Sequence, residues 1–414
     1  MSETWDLIIV GGGAAGFYAA ITCAEARPGT RVLILEKSAR VLQKVRISGG
    51  GRCNITHDCL DPKRMATFYP RGHDALLGPL HHFGVRDTIA WFNARGVQLK
   101  TESDGRIFPT TDDSETIIDC LRDAAQKAGV VVQISTAVHG ITPIESQRFD
   151  GFELALHHKE PLRTRKVLLA TGGTRAATGA SLARTLGHAL IPAVPSLFTF
   201  NIEDSRIDGL AGVSVANAMA SVQGEKLRTD GPILVTHWGL SGPAILKLSA
   251  WGARELHDRD YAFTLAVNWL PGVDVPAHFH QLRNDWGKRQ VTTRSPFDEI
   301  PKRLWEALVG AADIPSDCRW AELSKSRSRK LSDNLTRAQF KVTGKSTNKD
   351  EFVTCGGVPT DEVDTRTFES RISKGAYFAG EILNIDGVTG GFNFQNAWTT
   401  GHLAGSAIAS ELSK

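Results

Sequence analysis

Apolar residues first gather at Trp5–Val10, a short and nearly continuous run of the kind found in parallel strands buried on both faces. Gly11-Gly12-Gly13-Ala14-Ala15-Gly16 breaks it, a small-residue helical stretch Phe17–Ala26 follows, and Arg31–Leu35 reads as a second strand stopping at Glu36. Together they form a βαβ opening. Helical spacing recurs at Asp87–Arg95 and Glu115–Ala128, and strand-length runs at Val130–Ile134 and Lys166–Ala170. The style changes after Pro192 and Pro195. From Leu197 to Leu270, short apolar runs parted by Gly, Asp and Asn surround one Pro-started helix after Ser241-Gly242-Pro243, which predicts an inserted β domain. Pro276–Phe340 spaces Trp, Leu and Ala for helices among many Lys and Arg. From Gly375 the first style returns, with a strand at Ala376–Ala379, a turn at Gly380-Glu381 and a Gly/Ala-rich helix at Ala397–Leu412. The chain leaves one domain, builds another, and comes back.

A chain of 414 residues exceeds one ordinary core, so two or three folded units are expected. A net charge of +3 gives no reason to expect a nucleic-acid surface. The basic tract Lys325-Ser326-Arg327-Ser328-Arg329-Lys330 reads either as a nucleic-acid or partner patch or, preferably, as a solvated helix face. Six scattered cysteines without a CxxC pair suit a reducing compartment. No signal-peptide pattern opens the chain, and no apolar run reaches the roughly 20 residues a membrane helix needs. A cytoplasmic protein without a membrane partner is expected.

The glycine turn carries the first chemistry. Gly11, Gly13 and Gly16 follow a strand, open a helix and precede an acidic residue at Glu36, which is the full dinucleotide fingerprint. Gly11 permits the tight turn, Gly13 lets backbone approach a pyrophosphate, and Gly16 lets helix and strand pack closely. The helix N-terminus at Ala14 and Ala15 would face the diphosphate. Glu36, with Lys37 beside it, would meet the adenosine ribose, and its charge would repel a 2′-phosphate. FAD is favoured over NAD by two distant segments suited to a larger cofactor, Ser48-Gly49-Gly50-Gly51-Arg52-Cys53-Asn54 and Gly390-Gly391-Phe392-Asn393-Phe394-Gln395-Asn396. Runs of glycine offer N–H donors to an anion or a ring edge. No second strand–GxGxxG–helix unit exists, so NADH or NADPH is expected only as a transient co-substrate.

Several motifs resemble a family of bacterial flavoproteins that includes aminoacetone-oxidase-like and bile-acid-reductase-like enzymes. They are Lys44 with Ile47–Asn54, Gly105–Pro109, Leu169-Ala170-Thr171-Gly172-Gly173, Thr236–Ala244, Gly380-Glu381-Ile382-Leu383, Asp386-Gly387 and Gly390–Asn396. The resemblance implies an α/β fold: a discontinuous Rossmann-type FAD-binding domain, a β-barrel-like insert and a small helical subdomain. The implied boundaries are 1–194 and 358–414 for the FAD domain, 195–275 and 341–357 for the insert, and 276–340 for the helical piece. It also implies that Ala15, Glu36, Val138, Glu381 and the Gly391-Phe392-Asn393 loop lie on or near FAD. Lys44, Ser48, Gly50, Gly51, Arg52, Cys53, Asn54, Ala170, Thr171, Gly172, Gly380 and Asp386 join that set through their motifs. The chain departs from the family in a shorter stretch after Thr171-Gly172-Gly173, and in Asn384 and Phe392, where Asp and Tyr are frequent.

Flavin enzymes leave electron transfer to the cofactor, so no catalytic triad is expected. His237 is a candidate proton donor or substrate contact, with a structural histidine as its alternative. Cys53 reads as a redox thiol or, preferably, as packing; Arg106 as an anion contact or a surface ion pair. Cys53, His57 and Cys59 lack a fourth ligand and regular spacing, so no metal is expected. The sequence therefore predicts an FAD-dependent oxidoreductase acting on a small organic substrate, as an NAD(P)H-driven reductase or an oxidase. An RNA-modifying flavoprotein and a non-catalytic FAD-stabilised partner protein are the alternatives. The oligomeric state is not specified.

Overall fold

Leu7, Ile8 and Ile9 are fully buried because their strand, Thr4–Val10, runs through the middle of a sheet. It pairs in parallel with Val32–Leu35 on one side and with Lys159–Leu169 on the other. The computed structural model describes residues 4–146, 149–174, 177–346 and 353–413. Ala376–Phe378 continues the parallel order beyond Lys159–Leu169, so the last quarter of the chain completes a sheet begun at the first strand. Val131–Gln133 closes the opposite edge. Val131 on that strand is 42% exposed, because an edge strand lacks a covering neighbour. Val138–Ser146 and Phe149–Leu156 add an antiparallel meander onto Lys159–Leu169 that the apolar runs did not announce.

Two helices with small-residue faces pack on each other in this unit. Ala14–Ala26 packs against Phe392–Leu412, which begins before the expected Ala397 and so takes in Phe392 and Asn393. Close approach requires glycine: a Cβ at Gly401 would lie 2.8 Å from Ala15 O, and one at Gly405 2.5 Å from Ala19 O.

The chain divides into two compact units, Met1–Pro195 with Lys349–Lys414, and Ser196–Asn348. The second unit contains a closed six-stranded barrel, in the order Phe200–Ile202, Gly239–Ser241, Arg228–Thr236, Ser214–Val222, Phe263–Asn268 and Ala338–Lys345. Alternating burial along Phe263–Asn268 and Ala338–Lys345 marks the inward face. Helix Pro243–Trp251 starts with proline at its first turn, as the sequence suggests. Helices Val275–Asp285, Lys302–Ala311 and Lys325–Thr336 gather around Phe279, Trp305 and Trp320. Trp305 satisfies its indole N–H on Val291 O at 2.8 Å.

Two expected boundaries shift. The barrel strand Ala338–Lys345 starts inside the segment read as helical, because its alternating pattern was hidden behind the preceding helix. Val353–Gly357, expected among the strands of the insert, pairs instead with Ile191–Ser196 in a small separate sheet. Residues 347–352 of the expected return segment lie outside the described residues. Among the described residues no helix is long and apolar enough to cross a membrane.

Candidate functional site

The glycine turn does what its spacing demands. Gly11 donates its N–H to Leu35 O at 2.9 Å, and a Cβ on it would lie 2.3 Å from Ala170 O. A Cβ at Gly16 would sit 2.1 Å from Gly11 O, so helix and turn can touch only through glycine. Gly13 differs: a Cβ there meets no protein atom within 4 Å. The space above the helix N-terminus that begins at Ala14 is open, where free N–H groups favour an anion.

Glu36 ends the second strand and is held from both sides. Gly12 N–H donates to Oε2 at 2.8 Å; Ser38 N–H and Oγ–H donate to Oε1 at 2.8 and 2.7 Å. Thr136 N–H donates to Glu36 O at 2.8 Å, which sets Val138 two residues beyond this corner, buried at the start of its strand. Lys37 is exposed.

The second glycine cluster is a broken helical turn. Gln43–Gly51 has helical hydrogen bonding, but Ser48 is extended and Gly49 and Gly50 take φ of 59° and 70°, the left-handed region that disfavours side chains. Gly50 and Gly51 face open space, whereas a Cβ at Gly49 would strike the Phe108 ring at 2.9 Å. Arg52 lies over Phe108 and pairs with Glu102 at 2.6 Å. Cys53 is fully buried and its thiol is pushed up to about 12 by desolvation, which removes the thiolate a redox role needs. Arg106 is committed to Glu102 and Asp104, so the surface ion pair is the correct reading of it. Among the described residues no three His, Cys, Asp or Glu side chains come together as a metal site.

The closing segment ties these parts together. Gly380, at φ 75°, donates its N–H to Thr400 Oγ1 at 2.8 Å, and a Cβ on it would lie 2.9 Å from Ala15 Cβ. Glu381 accepts from Thr354 N–H at 2.9 Å and pairs with Lys44, while a Cβ at Gly173 would lie 2.8 Å from its Oε1. Gly391 presses against the backbone of Thr56, where a Cβ would meet the carbonyl carbon at 2.5 Å. Asn54, its amide oriented to satisfy its neighbours, accepts from Gly391 N–H at 2.9 Å. Asn393 clasps Gly387, donating to its carbonyl at 2.9 Å and accepting from its N–H at 2.8 Å. Phe392 stacks on His57 and Phe68. Asp386 is fully buried and pairs with Arg71, so its carboxylate anchors the loop from inside.

The fold thus brings the fingerprint turn, Glu36, Ala170–Gly173, Gly380-Glu381 and the two glycine clusters into one unit. Two buried side-chain oxygens in this set, Thr171 Oγ1 and Asn396 Oδ1, and a third just after Gly380-Glu381, Asn384 Oδ1, find no partner among the described residues. Orphaned buried acceptors are costly unless a ligand satisfies them. With the open faces at Gly13, Gly50, Gly51 and Gly172, they fit a long cofactor rich in hydrogen-bonding groups. Ser38 and Thr354 escaped the sequence reading because neither belongs to a motif. His237 belongs to the second unit, where its side chain is exposed. The basic tract forms the first half of helix Lys325–Thr336, exposed at Lys325, Arg329 and Lys330, where Lys330 pairs with Asp313 at 2.6 Å.

A family model described as the HI0933-like protein Rossmann domain matches residues 5–407. The chain belongs to this family. Its fold is the α/β, Rossmann-type FAD-binding fold, and its class is that of the FAD-dependent oxidoreductases, which sets aside a non-catalytic role. The chain is 30% identical over 408 residues to a ribosomal RNA dihydrouridine synthase of Escherichia coli, covering 96% of each. It is 28% identical over 415 residues to a 3-dehydro-bile acid delta(4,6)-reductase of Clostridium scindens, covering 97% of this chain and 98% of that one. A 3-ketosteroid-delta4-(5alpha)-dehydrogenase of Rhodococcus jostii shares the fold, with a TM-score of 0.54 at 15% identity over 98% of this chain and 97% of that one. A second relative of that ribosomal RNA name, from Haemophilus influenzae, is 27% identical over 418 residues, covering 99% of this chain and 100% of that one, so the expectation of no nucleic-acid partner loses its support.

Proposed function

We propose that this HI0933-like protein is an FAD-dependent reductase of a carbon–carbon double bond conjugated to a carbonyl, with NADH or NADPH as electron donor. What carries the reading is a chemical denominator between two relatives aligned over nearly the full chain. A dihydrouridine is a uridine whose ring double bond, conjugated to a carbonyl, has been saturated. A delta(4,6)-reductase acting on a 3-dehydro bile acid saturates double bonds in conjugation with the 3-oxo group. Different substrates, one kind of bond.

In this reading the N–H groups around Gly11–Gly16 hold the diphosphate, and Glu36 accepts from the adenosine ribose. Ala15, Gly380, Glu381 and the Asn54–Gly391 contact line the remainder, with Lys44 neutralising Glu381. Thr171, Asn384 and Asn396 supply the acceptors that the protein leaves unsatisfied. Bound FAD would supply hydride transfer; the chain orients it and keeps water from it. The preferred substrate is a small unsaturated ketone. A uridine within RNA is the second reading, favoured by two relatives with ribosomal RNA names.

Anaerobic mixing of the yellow protein with NADH and with NADPH tests the proposal. Bleaching of the flavin by either, and return of colour on adding a 3-oxo-4-ene steroid or a uridine-containing RNA, is the expected result. Flavin that only dithionite can bleach would overturn the reductase reading in favour of an oxidase fed by its own substrate.

A further inference from the structure

The second unit holds a cavity of about 490 Å³, within the range of small-ligand sites. Its wall is made by residues 202–205 and 207–209, by Ala211, and by Thr236, His237 and Gly239 at the turn between two barrel strands. Between the last two in sequence, and outside the wall itself, comes Trp238, 72% exposed, by far the most exposed large apolar side chain described. The turn that carries it is fixed. Thr236 Oγ1 accepts from Trp238 N–H at 3.3 Å, and Trp238 O accepts from Ile202 N–H at 2.8 Å. A rigid indole held out into solvent costs apolar exposure with no packing return, so a stacking role for it explains the exposure.

The charges around the cavity are sorted. Asp204 is neutralised by Arg206 at 2.7 Å. Glu203 and Asp208 line the cavity, are exposed, and have no ion pair among the described residues. Free carboxylates of this kind accept from hydroxyl or ring N–H donors. Arg303 donates to the carbonyl of Gly209, itself part of the wall, and brings a guanidinium to the rim. An aromatic face, paired acceptors for a diol and a cation at the rim match base, ribose and phosphate in turn.

We propose that this cavity binds a nucleotide: the base on Trp238, the ribose hydroxyls on Glu203 and Asp208, and the phosphate towards Arg303. It goes beyond the reductase reading and would supply the second nucleotide site that the single glycine fingerprint does not offer. Two sources share this chemistry, the adenosine half of a nicotinamide dinucleotide and a uridine nucleotide of RNA.

Calorimetric titration of the flavin-loaded protein with AMP and with UMP tests it. Binding of either is expected, AMP pointing to the dinucleotide and UMP to RNA. Trp238→Ala should weaken that binding about tenfold or more, and Trp238→Phe should restore most of it. Glu203→Gln combined with Asp208→Asn should erase the preference for AMP or UMP over its 2′-deoxy form. Flavin content and the unfolding midpoint report that the variants remain folded. Absence of binding by both nucleotides, or equal binding to wild type and Trp238→Ala, overturns the proposal. Flavin bleaching by NADH is read separately, so a failed nucleotide site and a failed reductase assignment are told apart.

Discussion

Gly12 and Glu36 are joined by a 2.8 Å hydrogen bond in which the glycine N–H donates to Oε2. Ser38 engages the other oxygen, so the carboxylate at the end of the second strand is oriented by protein groups alone. Such pre-orientation lowers the cost of ordering when a ligand arrives.

Glu36→Ala removes both the fixed acceptor and the brace on the glycine turn. The affinity for FAD should fall about tenfold or more, the scale of a hydrogen bond to a charged group. Fluorescence of released flavin, titrated back onto the apoprotein, measures it. Unchanged affinity would show that Glu36 does not meet the ribose.

Two glycines of one motif should behave differently. Gly13 faces open space, so Gly13→Val is expected to fold and purify without flavin. Gly16 lies against Gly11 O, so Gly16→Val must shift backbone and should yield insoluble or strongly destabilised protein. A Gly13→Val protein carrying full flavin would mean that the fingerprint turn is not the cofactor cradle.

Arg71 is the bidentate partner of an Asp386 that has no solvent exposure. Arg71→Met leaves that carboxylate buried beside an apolar chain. A loss of about 3–5 kcal/mol in urea unfolding is expected, the cost of breaking a buried pair by removing one partner.

His188 should make stability depend on pH near neutrality. Its ring is buried, with Nδ1 at 2.8 Å from Glu362 and Nε2 at 2.7 Å from Ser370 Oγ. Ser370 Oγ also accepts from the N–H groups of Ile372 and Ser373, so its own proton points to Nε2 and fixes a neutral imidazole. Burial lowers the His188 pKa below its ordinary value of about 6.5 despite the carboxylate beside it. A depressed pKa favours the neutral form on folding. Its contribution is therefore complete above about pH 6.5 and is lost as pH falls through the folded value. His57 and His402, lowered for the same reason, act in the same direction. His188→Gln should flatten, without abolishing, the decline in melting temperature below pH 6.5; an unaltered slope would exclude His188 as a contributor.

The geometry of the glycine turn was legible because its requirements are local. A strand that must be apolar, a turn that admits only glycine and an acidic residue at the next strand end lie within one short stretch, Trp5–Glu36. The return of the chain after Gly375 was legible too, since the terminal helix repeats the small-residue style of the first and packs on it through Gly401 and Gly405. The exposure of Val131 was not legible, because an apolar run has the same pattern at the middle and at the edge of a sheet.

Tertiary structure alone decided what the charged and polar residues do. Asp386, Arg106 and Cys53 carry side chains suited to ligand or redox chemistry. The fold commits the first to Arg71, the second to Glu102 and Asp104, and seals the third away from water. It also leaves Trp238 in solvent at the turn between two barrel strands, next in sequence to His237 and Gly239 of the cavity wall. Backbone constraints such as tight turns and strand periodicity are written in neighbouring residues. Charge pairing, burial and exposure depend on partners far away in sequence, such as Arg71 and Asp386, and exist only once the chain has folded.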